Sequence, residues 1–184
     1  SFIPKQMIDF VNCPYPGAEL LPLEREKLYG WVLDKKPRGI LEIGTGNGGS
    51  TYYMAKAIQK AELSTVIVTC DPKRKISASF FEAFPFVDYF KMPSDELIPF
   101  VIEWDFLIDF IFFDGPDDPE VALRDIKRLE AYISDGTYFA MHDWDFQKAS
   151  MIRPYMEQSE HWIEQEVLPK SEASVGLCLY KYTL

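Results

Sequence analysis

No apolar run in the sequence approaches the roughly eighteen residues that a membrane-spanning helix needs, and the amino terminus lacks a signal-peptide pattern. Cysteine is scarce: Cys13, Cys70 and Cys178 form an odd set without metal-finger spacing, and Cys70 falls inside an apolar run. Neither a disulfide framework nor a zinc knuckle is indicated, and the three read as reduced thiols of a cytoplasmic protein. Positive charge is also short. Against 29 acidic residues stand 19 basic ones, leaving a net charge of −10. That balance disfavours nucleic-acid partners, which require clustered Lys and Arg to displace counterions. Histidine is limited to His142 and His161, so any imidazole chemistry rests on one of those two. What remains is a chain of 184 residues with 47% hydrophobic content, suited to one domain over 1–184 with a sizeable core.

The most informative stretch runs from Arg38 to Thr51. Ile40 to Ile43 is an apolar run of strand length, Gly44, Gly46, Gly48 and Gly49 crowd the turn after it, and Ser50 opens a segment with helical spacing. Strand, glycine turn and helix in that order present unpaired N–H groups and a positive dipole end to a ligand above the sheet edge. Gly44, Gly46 and Gly49 satisfy the spacing of dinucleotide-binding turns; Gly44, Gly46 and Gly48 satisfy that of methyl-transferring enzymes. Glu42, two residues before the first glycine, would repel a pyrophosphate and attract an ammonium group.

The rest of the chain alternates apolar runs with helical patterns. Residues 1–20 carry Pro4, Pro14, Pro16 and Gly17 among Phe2, Ile3, Phe10 and Tyr15, an arm rather than a regular element. Pro22 opens a helix to about Lys35 with Leu28, Trp31 and Val32 inward and Glu24, Arg25 and Lys27 outward. A helix is expected over about 49–62, then the strand Ser64 to Cys70, ending on Asp71. An acid about twenty residues past the turn is placed to accept both hydroxyls of a ribose, although Asp before Pro72 also initiates turns. A helix near 75–83 and a short strand over 86–91 follow. Ser94 reads either as a ligand contact or as the N-cap of a helix beginning at Asp95. Ile108 to Gly115 is a buried strand ending on Asp114. Asp118 caps a helix stopped by Gly136, with Arg124, Lys127 and Arg128 on its solvated face. Thr137 to Asp143 ends on His142 and Asp143. A helix near 145–158, bent by Pro154, precedes strands over 161–167 and 175–182, and the linker between them is too short for a crossover, so they pair antiparallel.

The segment Leu41 to Thr51, LEIGTGNGGST, resembles motif I of the class I S-adenosylmethionine-dependent methyltransferases, and VTCDP, IFFDGP and FAMHDW follow in that family's order. Within the class, the FFDG and MHDW segments are similar to small-molecule O-methyltransferases of the macrocin O-methyltransferase and cephalosporin hydroxylase type. The resemblance implies an α/β, Rossmann-like doubly wound sheet of seven strands in the order 3-2-1-4-5-7-6, mostly parallel with an antiparallel carboxyl-terminal hairpin. It implies that residues 1–36 cover the cofactor edge, and that S-adenosyl-L-methionine is held by Glu42, Gly44, Thr45, Gly46, Gly48, Gly49, Ser50, Asp71, Ser94, Asp95 and Asp114. The acceptor would be a small molecule, in a pocket formed by the arm and the loops around Trp104 and Trp144.

Asp114, His142 and Asp143 converge at neighbouring strand ends and carry three alternative readings, the plainest being that His142 is a satisfied strand-end histidine with no part in catalysis. As a mixed oxygen and nitrogen set they suit Mg²⁺ or Mn²⁺, as the resembled metal-dependent enzymes do, although His142 stands where those enzymes more often have an acid. Alternatively, His142 with Asp143 is the catalytic pair and the imidazole takes the acceptor's proton. Competing classes are an NAD-dependent oxidoreductase, which would share the turn and Asp71 but end in another parallel unit, and a non-catalytic nucleotide-binding protein.

Overall fold

The computed structural model describes residues 7–15, 20–73 and 76–184. Pro4, Pro16 and Gly17 of the expected arm, and the start of the helix expected near 75, lie outside the described residues. In chain order the elements are α1 (Pro22–Lys35), β1 (Gly39–Ile43), α2 (Gly49–Ala61), β2 (Val66–Cys70), α3 (Ala78–Ala83), β3 (Val87–Phe90) and α4 (Ser94–Glu103). There follow β4 (Phe110–Phe113), α5 (Pro119–Glu130), β5 (Tyr138–His142), a 3₁₀ turn (Gln147–Ala149), α6 (Ile152–Glu157), β6 (Trp162–Leu168) and β7 (Leu177–Tyr182). The sheet order is β3-β2-β1-β4-β5-β7-β6. Strands β1 to β5 are mutually parallel, and β7 pairs antiparallel with both β5 and β6. Doubly wound topology, strand order and closing hairpin are those the sequence implied. Among the described residues no helix is long and apolar enough to cross a membrane.

Period-two alternation divides the core. Leu41, Ile43, Ile111, Phe113, Phe139 and Met141 join the cluster that packs on α4, α5 and α6. Ile40, Phe110, Phe112 and Ala140 join the cluster under α1, α2 and α3. Both faces of these strands are apolar because both are covered by helices. The polar residues at even positions therefore matter: Glu42 and His142 fall on the α1/α2 side of the sheet. Phe10 and Tyr15 of the arm pack against that same side, held by Arg25, whose Nη1 donates to the carbonyls of Phe10 and Val11 at 2.9 and 3.0 Å.

Four sequence expectations change. Glu24 and Arg25 are buried rather than outward, at 0% and 9% exposure, and Glu24 proves central to the site. Helix α4 begins at Ser94 itself, with Pro93 at the N-cap; the Ser94 hydroxyl bonds Asp125 instead of capping. The helix expected over 145–158 divides into a 3₁₀ turn and the short α6, since Pro154 lacks the N–H that a continuous helix would use. Trp144 is a core residue at 1% exposure, packed against Tyr180. Trp104 stacks on Phe100 at the carboxyl end of α4.

The glycine turn is required by close approach as well as by dihedral angle. Gly44 has φ +96° and a Cβ there would stand 2.6 Å from the Asp114 carbonyl oxygen, whereas Gly46, with φ +54°, has open space around it. Gly44→Ala is therefore expected to cost about 2–4 kcal/mol, combining backbone strain with overpacking, and Gly46→Ala only about 1–2 kcal/mol. Urea unfolding of the two variants checks the ranking; equal losses would contradict it.

Candidate active site

A cleft of about 550 Å³ opens at the carboxyl ends of β1, β2, β4 and β5, the edge at which open α/β sheets place ligands. Its walls include Gly44 of the glycine turn, Asp71, Lys73, Ser94, Asp114, Asp117, Asp143 and Lys148. The turn is fixed from below and from the side. Gly44 and Thr45 donate their N–H groups to the Cys70 carbonyl, each at 3.0 Å, and the Thr45 hydroxyl meets that of Thr69 at 2.6 Å. Asp71 Oδ2 accepts from the Gly46 N–H at 2.9 Å and Oδ1 from Lys73 N–H at 2.8 Å. The acid at the tip of β2 thus faces the turn across the cleft.

Glu42 is put to a different use from the one its position suggested. It is wholly buried and accepts hydroxyl protons from Ser50 at 2.6 Å, Thr69 at 2.6 Å and Thr51. Burial pushes its pKa up to about 7 even against those three donors, with the Asp114 charge adding to the rise. Glu42 therefore clasps β1, β2 and the start of α2 together beneath the turn, and it does not line the cleft. Ser50 is drawn into the same clasp. Thr45, Gly46, Gly48 and Gly49 shape the turn without lining the cleft, and Asp95 is exposed on α4, 3.7 Å from Arg124.

The strand-end acids and His142 do come together, in company that the sequence did not announce. His142 Nε2 lies 2.9 Å from Glu24 Oε2 and its Nδ1 lies 3.3 Å from Asp114 Oδ1. Lys148 Nζ lies 2.5 Å from Asp114 Oδ1 and 2.6 Å from Asp143 Oδ2. Charges alternate along the row Glu24, His142, Asp114, Lys148, Asp143. Glu24 is further bound by the Ser174 hydroxyl at 2.8 Å and by the N–H groups of Val175 and Leu21 at 2.7 and 2.8 Å. Burial opposes ionisation of Glu24, yet the His142 bond and these donors hold its carboxyl below the usual range. Asp114 is likewise held low, burial being outweighed by His142 and Lys148. Burial alone would discharge His142, but hydrogen bonds to Asp114 and Glu24 and the Asp114 and Asp143 charges lift it to about 10. Lys148 is raised in the same way, burial being overcome by Asp114 and Asp143.

This geometry decides between uses of His142. A general base needs an unprotonated nitrogen aimed at the acceptor, and a metal ligand needs one aimed at the ion. Both ring nitrogens here lie against carboxylates, and the ring is almost wholly buried, so neither nitrogen is aimed at the cleft. Asp114, His142 and Asp143 offer atoms within 4.8 Å of one another, a span a divalent ion could bridge, but the Lys148 ammonium stands at bonding distance from both carboxylates. The residues present do not fit a divalent ion unless Lys148 leaves.

Glu24 and Lys148 are the site residues that sequence reading missed. Glu24 sits four residues before Leu28 and seven before Trp31, on the buried stripe of α1, which was its one signal. Lys148 lies in the 3₁₀ turn after β5 and carries none.

The raised pKa of His142 fixes a sign. The proton's contribution to stability is fully present below the ordinary value of 6.5 and is lost as pH rises toward about 10. The gap in melting temperature between the parent chain and His142→Gln is therefore expected to be widest near pH 6 and to narrow up to that value. Glu42 titrates alike in both chains and cancels. A gap that stays constant or widens with pH would contradict the imidazolium.

Similarities to known proteins agree with this architecture. An O-methyltransferase from Bacillus cereus in complex with SAH superposes with a TM-score of 0.73 at 18% identity, over 92% of this chain and 84% of that one. The O-methyltransferase TomG from Streptomyces achromogenes, involved in tomaymycin synthesis and in complex with SAM, gives 0.72 at 16%, over 91% and 83%. A methyltransferase from Geobacter sulfurreducens gives 0.66 at 15%, over 88% and 79%. At such identities the likeness establishes the fold. No curated protein sequence matches the chain. The model of the methyltransferase-domain family matches residues 41–144, from β1 through the glycine turn, Asp71 and Asp114 to His142 and Asp143, and on that match, which spans more than half of the sequence, the chain belongs to that family.

Proposed function

We propose that the chain transfers a methyl group from S-adenosylmethionine to a hydroxyl oxygen of a small molecule. The observation that carries the reading is the charge of the cleft wall, where, among the described residues, Asp71, Asp114, Asp117 and Asp143 stand with Lys73 and Lys148. An acidic wall favours a cationic sulfonium and ammonium over a pyrophosphate. Asp71, already accepting from Gly46, supplies a carboxylate for ribose hydroxyls at the tip of β2, and Ser94 lines the cleft beyond it. Helix α1, with Ile8, Phe10 and Tyr15 of the described part of the arm, packs on the α2 side of the sheet. The SAH and SAM named with the two O-methyltransferases of like fold support the same reading.

In the reaction, the acceptor oxygen attacks the methyl carbon as the carbon–sulfur bond breaks; the sulfonium becomes a neutral thioether and the hydroxyl proton departs. Holding oxygen, carbon and sulfur in line can supply roughly 7–11 kcal/mol. Asp143 is the carboxylate of the row that stays partly open to the cleft, with its side chain 24% exposed, and it takes the proton that the enclosed His142 cannot. No step passes through a metal ion.

Isothermal titration tests the reading: S-adenosylmethionine and S-adenosylhomocysteine should bind and NAD should not, while binding of NAD alone would sink it. Asp71→Ala should weaken donor binding by about 1.5–3 kcal/mol, the scale of hydrogen bonds to a charged group, while the variant still folds and melts in one cooperative transition. Unaltered affinity would make Asp71 a turn residue only.

A further inference from the structure

We propose that Lys148 is the resident cation of this site, its ammonium standing where a divalent ion would have to sit between Asp114 and Asp143 and steadying the acceptor oxygen in its place. The catalytic part of this inference rests on the methyl-transfer reading above; the occupancy of the position does not.

Oxygen ligands lie about 2.0–2.6 Å from Mg²⁺ or Ca²⁺. Lys148 Nζ is 2.5 Å from Asp114 Oδ1 and 2.6 Å from Asp143 Oδ2, so an ion taking both carboxylates would overlap the ammonium. The third candidate ligand is closed as well, because the His142 nitrogens are spent on Asp114 and Glu24. Placing a doubly charged ion beside an ammonium in a poorly solvated pocket adds repulsion to the steric conflict. The chain thus meets the charge demand of its two acids with its own side chain. Lys148 is nine-tenths buried, with its side chain 8% exposed, yet it forms part of the cleft wall. An ammonium has three N–H donors; Asp114 and Asp143 take two, and the remaining one is available to an oxygen in the cleft. As Asp143 takes the hydroxyl proton, negative charge grows on that oxygen, and a fixed ammonium beside it stabilises the alkoxide character that then attacks the methyl carbon as the carbon–sulfur bond breaks. Charge balances throughout: the sulfonium loses its charge as the oxygen loses its proton to Asp143.

The test is Mn²⁺ binding followed by the electron paramagnetic resonance signal of the free aqueous ion, on the parent chain, Lys148→Ala and Lys148→Met, with the melting transition confirming that each is folded. The parent chain is expected to bind no Mn²⁺ at submillimolar concentration. Removing the ammonium should raise Mn²⁺ affinity at least about ten-fold, and adding Asp114→Asn to Lys148→Ala should abolish the gain. The methionine variant keeps the length of the lysine stem, so it reads the charge even if the alanine variant fails to fold. Tight, stoichiometric Mn²⁺ binding by the parent chain would overturn the proposal. So would a failure of the folded variants to gain affinity, since the carboxylates would then not be a cation position that Lys148 fills. Neither outcome depends on methyl transfer, which the donor titration tests separately.

Discussion

The site depends on one buried row of alternating charge, Glu24, His142, Asp114, Lys148 and Asp143. Burial opposes the charges of Glu24, His142, Asp114 and Lys148, and neighbours of opposite sign restore them. The row ties together elements far apart in the chain: α1 through Glu24, β5 through His142, the end of β4 through Asp114, and the 3₁₀ turn through Lys148. Glu24 also receives Ser174 and Val175, fastening the loop of the closing hairpin to the same point. Removing one partner leaves a neighbour charged and unpaired, which typically costs about 3–5 kcal/mol, so the row acts as one unit and holds the cleft's far wall rigid.

The near wall is held by a second clasp of different character. Glu42 is surrounded by hydroxyls rather than cations, and its carboxyl is correspondingly reluctant to ionise, at about 7. It grips Ser50 and Thr51 at the start of α2 and Thr69 of β2, which sets the height of the glycine turn over the sheet. With Gly44 pressed on the Asp114 carbonyl, the turn and the charged row meet at the end of β4. The two walls are therefore positioned relative to each other by backbone contact, and Asp71, Asp143 and Lys148 line the cleft between them.

Whereas the order of the strands came from the resemblance of the LEIGTGNGGST, IFFDGP and FAMHDW segments, the alternation of strands and helices and the antiparallel close were legible from local signals, namely apolar runs, a glycine turn and a linker too short to cross over. The bounds of α1 were legible for the same reason. Its polar face was not. Glu24 falls on the inward stripe with Leu28 and Trp31, but a carboxylate there reads as solvated until its partner is known, and His142 is 118 residues away. Glu42 was recognised by position, but its hydroxyl partners were not, since only the folded chain brings Ser50, Thr51 and Thr69 around it. Asp114, His142 and Asp143 were rightly grouped as neighbours at strand ends; what the grouping lacked was Lys148, whose reach back to the acids depends on the turn after β5.

The central claim is that this row is ionised in the native chain with an imidazolium at its heart. Nitrogen-15 NMR of the His142 ring reads it most directly, at about pH 8, above the ordinary histidine value and below the raised one. The account predicts that both ring nitrogens are protonated at that pH. A neutral His142 tautomer with one bare nitrogen at that pH would contradict it.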